Sequence, residues 1–248
     1  MNSILICGYG NIGKYLETEL CHYNPDIYDP LYNTMNKYEI YDIAFIAVPT
    51  NNLPDNTCDI SIVEKVITEV KANLYVIKST IIPGSTTELI NKTKKHIVFS
   101  PEFYGTTLSS NREVNFLILG GNQKDKDIVA NLYTAIKRPS FRIFSTTLET
   151  AELVKYMLNS FLALKVTFCN EFAKLAGSIG VSYTELRTLF VQDERVGDSH
   201  TWVFPEKPYY DSHCFNKDIP ALIKFAEDKA PLELLKRMDE INKKLKLI

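Results

Sequence analysis

The chain has 248 residues, 45% of them apolar and 23% charged, with a formal net charge of −2. That length allows one large domain or two small ones around a real core, and the near-neutral charge argues against a general nucleic-acid surface. No stretch approaches the apolar length of a membrane span, and the opening MNSILICGYG is too short and lacks the basic flank of a signal peptide.

The five cysteines (Cys7, Cys21, Cys58, Cys169, Cys214) are odd in number and widely spaced, without a CxxC pair. The four histidines show no metal-ligand spacing. The expectation is a reduced, cytoplasmic protein with no metal site.

In chain order, short apolar runs alternate with helical patterns over the first 145 residues. The runs are SILICG (3–8), DIYD (26–29), DIAFIAVP (42–49), LYVIKS (74–79), HIVFSP (96–101), NFLILGG (115–121) and FRIFST (141–146). They are rich in Val, Ile and Phe and mostly unalternated, which suits strands of a parallel sheet buried on both faces. Between them lie segments that read as helices, such as 61–72 and 124–136. The alternation predicts an α/β, Rossmann-type doubly wound sheet.

Gly8-Tyr9-Gly10-Asn11-Ile12-Gly13 follows the first strand and opens a helical pattern at 14–22. It matches G-x-G-x-x-G, in which glycines permit the turn, the approach of backbone to a pyrophosphate and close helix–strand packing. Asp29 ends the second strand about twenty residues on, where an acid holds the ribose 2′-hydroxyl and repels a 2′-phosphate, favouring NAD over NADP. A glycine turn with no ligand is the alternative.

After Ser145 the strand signals stop. Thr146 and Glu149 have capping-box spacing. A helical pattern then runs from about 148 to 176, with Leu153, Met157, Phe161 and Leu164 at steps of three and four. Further helices are expected at 183–190, 217–228 and 231–246. The domains are therefore 1–145, binding cofactor, and 146–248, all-helical and built on the long central helix. On that helix Glu152, Lys155 and Asn159 share one face at i, i+3 and i+7. A lysine and an asparagine there can stabilise an alkoxide or oxyanion beside a cofactor; a solvated polar stripe is the competing reading.

Taken in order, these motifs resemble the UDP-glucose/GDP-mannose dehydrogenase family. GYGNIG with DIAFIAVPT looks like its cofactor domain. KSTIIPG (78–84) is similar to KSTVPPG, and SPEFY (100–104) to NPEFL. TAELVKYMLNSFLALKVTFCNE (150–171) resembles the family's central helix. DERVG (193–197) looks like D-x-R-I-G, and HCFNKD (213–218) like the end of G-G-S-C-F-P-K-D.

The resemblance implies NAD-dependent oxidation of a nucleotide-sugar (UDP-glucose-like) alcohol to the acid in two steps, of the kind that feeds polysaccharide biosynthesis. By position, Cys214 attacks the intermediate aldehyde, giving a thiohemiacetal and then a thioester. Its thiolate is the reactive form, which a cation such as Lys155 or Lys217 would favour. Lys155 and Asn159 stabilise the oxyanion, Asp218 handles a water with help from Thr80, and Glu102 assists hydrolysis. Val48, Pro49, Thr50, Ser79, Thr80 and Lys217 join the glycine loop and Asp29 around NAD. Phe103, Tyr104, Arg195 and Tyr210 join Glu102, Lys155 and Asn159 at the substrate. Arg195 is expected to reach a partner's substrate in a homodimer formed through the long helix.

Three departures stand out. Tyr210-Asp211-Ser212 occupies the place of the family's glycines, implying a reshaped sugar pocket. Thr106 replaces a second glutamate of the PEFLxEG pattern. The resemblance also stops short of the C-terminal domain with which the family grips the nucleotide. Between Arg195 and Cys214, Trp202, Phe204, Tyr209 and Tyr210 either stack on a ligand or fill space. Two other functions fit the same residues in part. A β-hydroxyacid-type dehydrogenase also places a Lys and an Asn on its first long helix and makes one hydride transfer without a cysteine. A non-catalytic NAD-binding remnant would make none.

Overall fold

The computed structural model describes residues 3–104 and 114–247; Thr106 lies outside them. By internal contacts the described residues form two units, 3–104 with 114–155, and 156–247.

The first unit holds seven strands: β1 (Ile4–Cys7), β2 (Asp26–Tyr28), β3 (Tyr41–Ile46), β4 (Ala72–Ile77), β5 (Ile97–Phe99), β6 (Phe116–Gly120) and β7 (Arg142–Thr146). All seven apolar runs became strands. They form one sheet in the order β2-β1-β3-β4-β5-β6-β7. Successive side chains point to opposite faces. Leu5, Cys7, Ala44 and Ile46 join one apolar cluster, while Ile4, Ile6, Ile43 and Phe45 join another. Both faces of the central strands are thus covered, which is why their sequences lack alternation.

The sheet is not wholly parallel. β1 to β5 are mutually parallel, but β6 runs antiparallel to β5, and β7 is parallel to β6. A parallel neighbour needs a crossover, normally a helix. Among the described residues no helix lies between β5 and β6, whereas α4 (Gln123–Ile136) supplies the crossover from β6 to β7.

Helices α1 (Asn11–Glu19), α2 (Ser61–Glu69) and α3 (Ser85–Thr93) complete this unit with the first turns of α5 (Leu148–Ser178). The cap of α5 differs from the expected box by one residue. Thr147 Oγ1, not Thr146, accepts from Thr150 N at 3.2 Å, and the Glu149 carboxylate instead accepts from Thr87 Oγ1 at 2.7 Å.

Glu152 also departs from the polar stripe drawn for it. It is fully buried and accepts from Gly84 N (2.6 Å), Thr86 N (2.9 Å) and Thr86 Oγ1 (2.6 Å). Gly84, the N-cap of α3, has no side chain to cap its own helix. Glu152 therefore serves as that cap from another helix, taking amides that would otherwise be orphaned. Burial pushes its carboxyl above the ordinary glutamate range, against the pull of the three donors. This contact ties the first turn of α5 to the loop after β4.

In the second unit the rest of α5 is joined by α6 (Tyr183–Phe190), α7 (His213–Ala226) and α8 (Glu233–Leu245). Ala163, Tyr210, Phe215, Ile219 and Met238 form its core. α7 begins four residues before the expected start, because Ser212 Oγ accepts from Phe215 N at 3.1 Å and caps it there. Cys214 thereby lies on the first turn of a helix. Among the described residues, no helix is long and apolar enough to cross a membrane.

Candidate active site

The turn from β1 to α1 has the shape of an anion cradle. Gly8 has φ +92°, and a Cβ there would stand 2.4 Å from Ala47 O. A Cβ on Gly13 would stand 2.0 Å from Gly8 O. These two glycines are required by packing alone. Gly10 is different: a Cβ on it would meet nothing within 4 Å. It stands at the N-cap of α1, which has no side-chain cap and no acidic residue in its first turn. Open space before uncapped helix amides suits a pyrophosphate.

Beside this turn, Asp29 is fixed by backbone donors, with Oδ2 accepting from Tyr9 N and Oδ1 from Leu31 N, both at 2.9 Å. The Tyr9 ring stacks on Tyr32 at 4.9 Å, and its hydroxyl donates to Glu17. Asn11 and Ile12 are the first residues of α1. Past the carboxyl ends of β3 and β4, the loops are stitched together. Thr50 Oγ1 donates to Thr80 O and Ser79 Oγ to Val48 O, each at 2.7 Å; Pro49 lies between Val48 and Thr50 on the same loop. Ligands bind at this edge of open α/β sheets, beside the point where strand order reverses, here between β1 and β3.

Past β5 a second group gathers. Glu102 is buried; its Oε1 accepts from Phe103 N and Tyr104 N, each at 2.8 Å. Its Oε2 lies 3.5 Å from Nζ of buried Lys78. Lys155 Nζ sits over the Phe103 ring, 5.6 Å from its centre, within cation–π reach. The Tyr104 ring packs on Tyr15 at 4.7 Å. Within this unit the structure thus brings Glu102, Phe103 and Lys155 together, and adds Lys78. Sequence reasoning passed over Lys78 although it opens KSTIIPG. Its signal is a lysine directly after an apolar strand, where burial demands a partner.

The second unit gathers Asn159, Asp218 and Lys217. Asp218 is almost fully buried; Asn159 Nδ2 donates to its Oδ2 and Lys217 Nζ to its Oδ1, both at 2.6 Å. Lys217, expected at the cofactor, is thus engaged with Asp218. Cys214 is an exposed free thiol one turn earlier on α7, on the same face as Asp218. Arg195 is exposed and forms a two-point pair with Asp193, at 2.9 and 2.5 Å.

Tyr210 does not present its ring to a surface. It is 3% exposed, donates its hydroxyl to Asp239 at 3.1 Å, and has its backbone N–H and C=O bound by the Asn242 amide at 2.9 and 3.1 Å. Asp211 next to it accepts from Lys246, Asn216 and Lys207, which hold its carboxyl well below the usual carboxylate range. Where glycines were expected, this segment is clamped to α8. Of the other loop aromatics, Trp202 lies on the buried Arg187 guanidinium at 3.8 Å, Tyr209 is flanked by Lys207 and Lys246, and Phe204 is exposed.

Two sequence profiles match the chain. Residues 30–137 match the NAD binding domain of the UDP-glucose/GDP-mannose dehydrogenase family, and residues 149–244 match its central domain. The chain belongs to the UDP-glucose/GDP-mannose dehydrogenase family. A UDP-glucose 6-dehydrogenase from Rickettsia prowazekii is 30% identical over 222 residues, 84% of this chain and 50% of the relative. A UDP-N-acetyl-D-mannosamine dehydrogenase from Methanocaldococcus jannaschii is 28% identical over 225 residues, 85% of this chain and 50% of the relative. The solved UDP-glucose dehydrogenase of Pyrobaculum islandicum shares the fold with a TM-score of 0.81 at 22% identity, over 98% of this chain and 68% of that one. The chain spans about half the length of the curated relatives it matches.

The stitched β3–β4 edge lies within the matched NAD-binding domain; the glycine loop and Asp29 precede the matched residues in the same sheet unit, and their geometry fits the dinucleotide. In calorimetry, Gly10→Ala should lower NAD affinity about tenfold or more while leaving the melting temperature unchanged, because its Cβ enters only the ligand's space. Gly13→Ala should lower both. A Gly10→Ala protein that binds NAD as tightly as wild type would contradict the cradle.

Proposed function

We propose that this protein serves NAD-dependent oxidation of a nucleotide-sugar primary alcohol, UDP-glucose-like, to the carboxylic acid through Cys214. The observation that carries this reading is the exposed Cys214 thiol on the capped first turn of α7, one turn from an Asp218 held at both oxygens. That pairing supplies a nucleophile and, beside it, a fixed carboxylate that can accept from water.

NAD, when bound, would accept the hydride of the first oxidation, and a second NAD, bound after the first leaves as NADH, that of the second. The chain's residues do the rest. Lys155 and Asn159 stabilise negative charge on the substrate oxygen as the alcohol becomes an aldehyde. Cys214 Sγ adds to the aldehyde carbon, and a second hydride loss leaves a thioester. Water attacks that carbonyl, the C–S bond breaks, and the electron pair returns to Sγ. Asp218, with Thr80, orients the water, and Glu102 accepts its proton, giving acid and free Cys214. None of the five cysteines is in a disulfide, which suits a cytoplasmic setting.

A homodimer through α5 belongs to the same reading. Met157, Phe161, Phe168 and Leu175 are all exposed and recur at steps that keep them on one stripe of the helix. A self-complementary apolar stripe of this length fits a second copy across a two-fold axis, with Arg195 directed toward the partner's substrate.

With a panel of UDP- and GDP-sugars, Cys214→Ala should lose acid formation by at least about a thousandfold. Acid release by this variant at the wild-type rate would sink the covalent route. Light scattering should give a dimer for wild type and a monomer for Phe161→Glu. A wild-type monomer would refute the interface.

A further inference from the structure

Lys78 immediately follows β4, and Ser100 and Glu102 follow β5. The two strands pair in register, Ile77 against Phe99, and Ser100 N donates to Ile77 O at 2.9 Å. This brings Lys78 Nζ to 3.2 Å from Ser100 Oγ and 3.5 Å from Glu102 Oε2. The lysine side chain is 3% exposed and that of Glu102 10%. A buried ammonium is costly where an apolar residue could pack, so such a pair does more for the placing of its partner than for stability.

Glu102 is accordingly held at both oxygens. The backbone of Phe103 and Tyr104 fixes Oε1, and Lys78 fixes Oε2. The next ring, Phe103, packs on Phe116 at 5.0 Å and lies beneath Lys155. The direction of the Glu102 carboxylate and the place of Lys155 therefore depend on one short segment.

We propose that Lys78 is a positioning residue that fixes the direction of the Glu102 carboxylate for its part in hydrolysing the Cys214 thioester; this rests on the function proposed above. In that step the water oxygen bonds to the thioester carbon, the C–S pair returns to Cys214, and the released proton passes through Glu102 to the thiolate. Without Lys78, the oxidations proceed and the last step stalls.

The test compares wild type, Lys78→Met, Lys78→Arg and Glu102→Gln with UDP-glucose and NAD, quenched in acid, with the Cys214 peptide weighed by mass spectrometry. Lys78→Met and Glu102→Gln should both hold about tenfold more acylated Cys214 than wild type, Lys78→Met with its initial NADH phase unchanged, and Lys78→Arg should move back toward wild type. If wild type turns over and Lys78→Met shows no excess of acylated Cys214, the proposal falls and the function stands. If wild type makes neither NADH nor acyl-cysteine, the function falls. Amide exchange at Phe103 and Tyr104 then decides the positioning: faster exchange in Lys78→Met supports it, and unchanged exchange overturns it. Should Lys78→Met not fold, Ser100→Ala, which removes the other partner of Lys78, takes its place with a smaller excess of the same sign.

Discussion

The contact on which the rest depends is the Glu152 carboxylate on the N-terminus of α3. A buried carboxylate without donors would be untenable; here two amides and a hydroxyl satisfy it. The same donors would be orphaned without it, since Gly84 offers no cap. Neither element is complete alone, so the start of α5 is fixed to the loop after β4. That loop carries Lys78, Ser79 and Thr80, and α5 carries Lys155 less than one turn beyond Glu152. The placing of the charged groups follows from an exchange of hydrogen bonds between two helices.

The carboxyl edge of the sheet shows the same economy. Gly8 and Gly13 are dictated by steric contact with Ala47 O and Gly8 O, and Gly10 alone leaves space open. Thr50 and Ser79 join the β3 and β4 loops by hydroxyl-to-carbonyl bonds. Each polar side chain satisfies a backbone group that burial would leave unpaired. In the second unit the Asn242 amide binds both backbone groups of Tyr210, and Asp211 gathers three donors. Residues that replace the family's glycines thus anchor the segment before Cys214 to α8. The departure in sequence is a change in what supports the cysteine, with Ser212 still free to cap its helix.

Much of this was legible in the sequence. Seven unalternated runs gave seven strands because both faces of the central sheet are covered. The G-x-G-x-x-G turn and Asp29 lie where the pattern implies. Asn159 and Lys217 both bond to Asp218, although Lys217 was expected at the cofactor. The remainder failed for identifiable reasons. α3 was missed because STTELINKT is short, polar and rich in Thr, and its cap comes from a residue far along the chain. β6 and β7 run against β5, a direction that a run of apolar residues does not report. Glu152 looked like part of a polar stripe because periodicity places a residue on a face without saying what covers that face. The early start of α7 went unread because Ser212 caps the helix four residues before its apolar pattern begins. Lys78 was passed over, and the burial of both it and Tyr210 is not reported by their residue types.

The central claim is that one chain carries an alcohol through two oxidations by way of Cys214. Its most direct test is stoichiometric: NADH and carboxylic acid counted in the same reaction with a nucleotide sugar, run to completion by wild-type protein. The account predicts two NADH for each acid released, with no free aldehyde. One NADH for each product, with an aldehyde or ketone as the end point, would contradict it and would place the chemistry with single-step hydroxyacid oxidation instead.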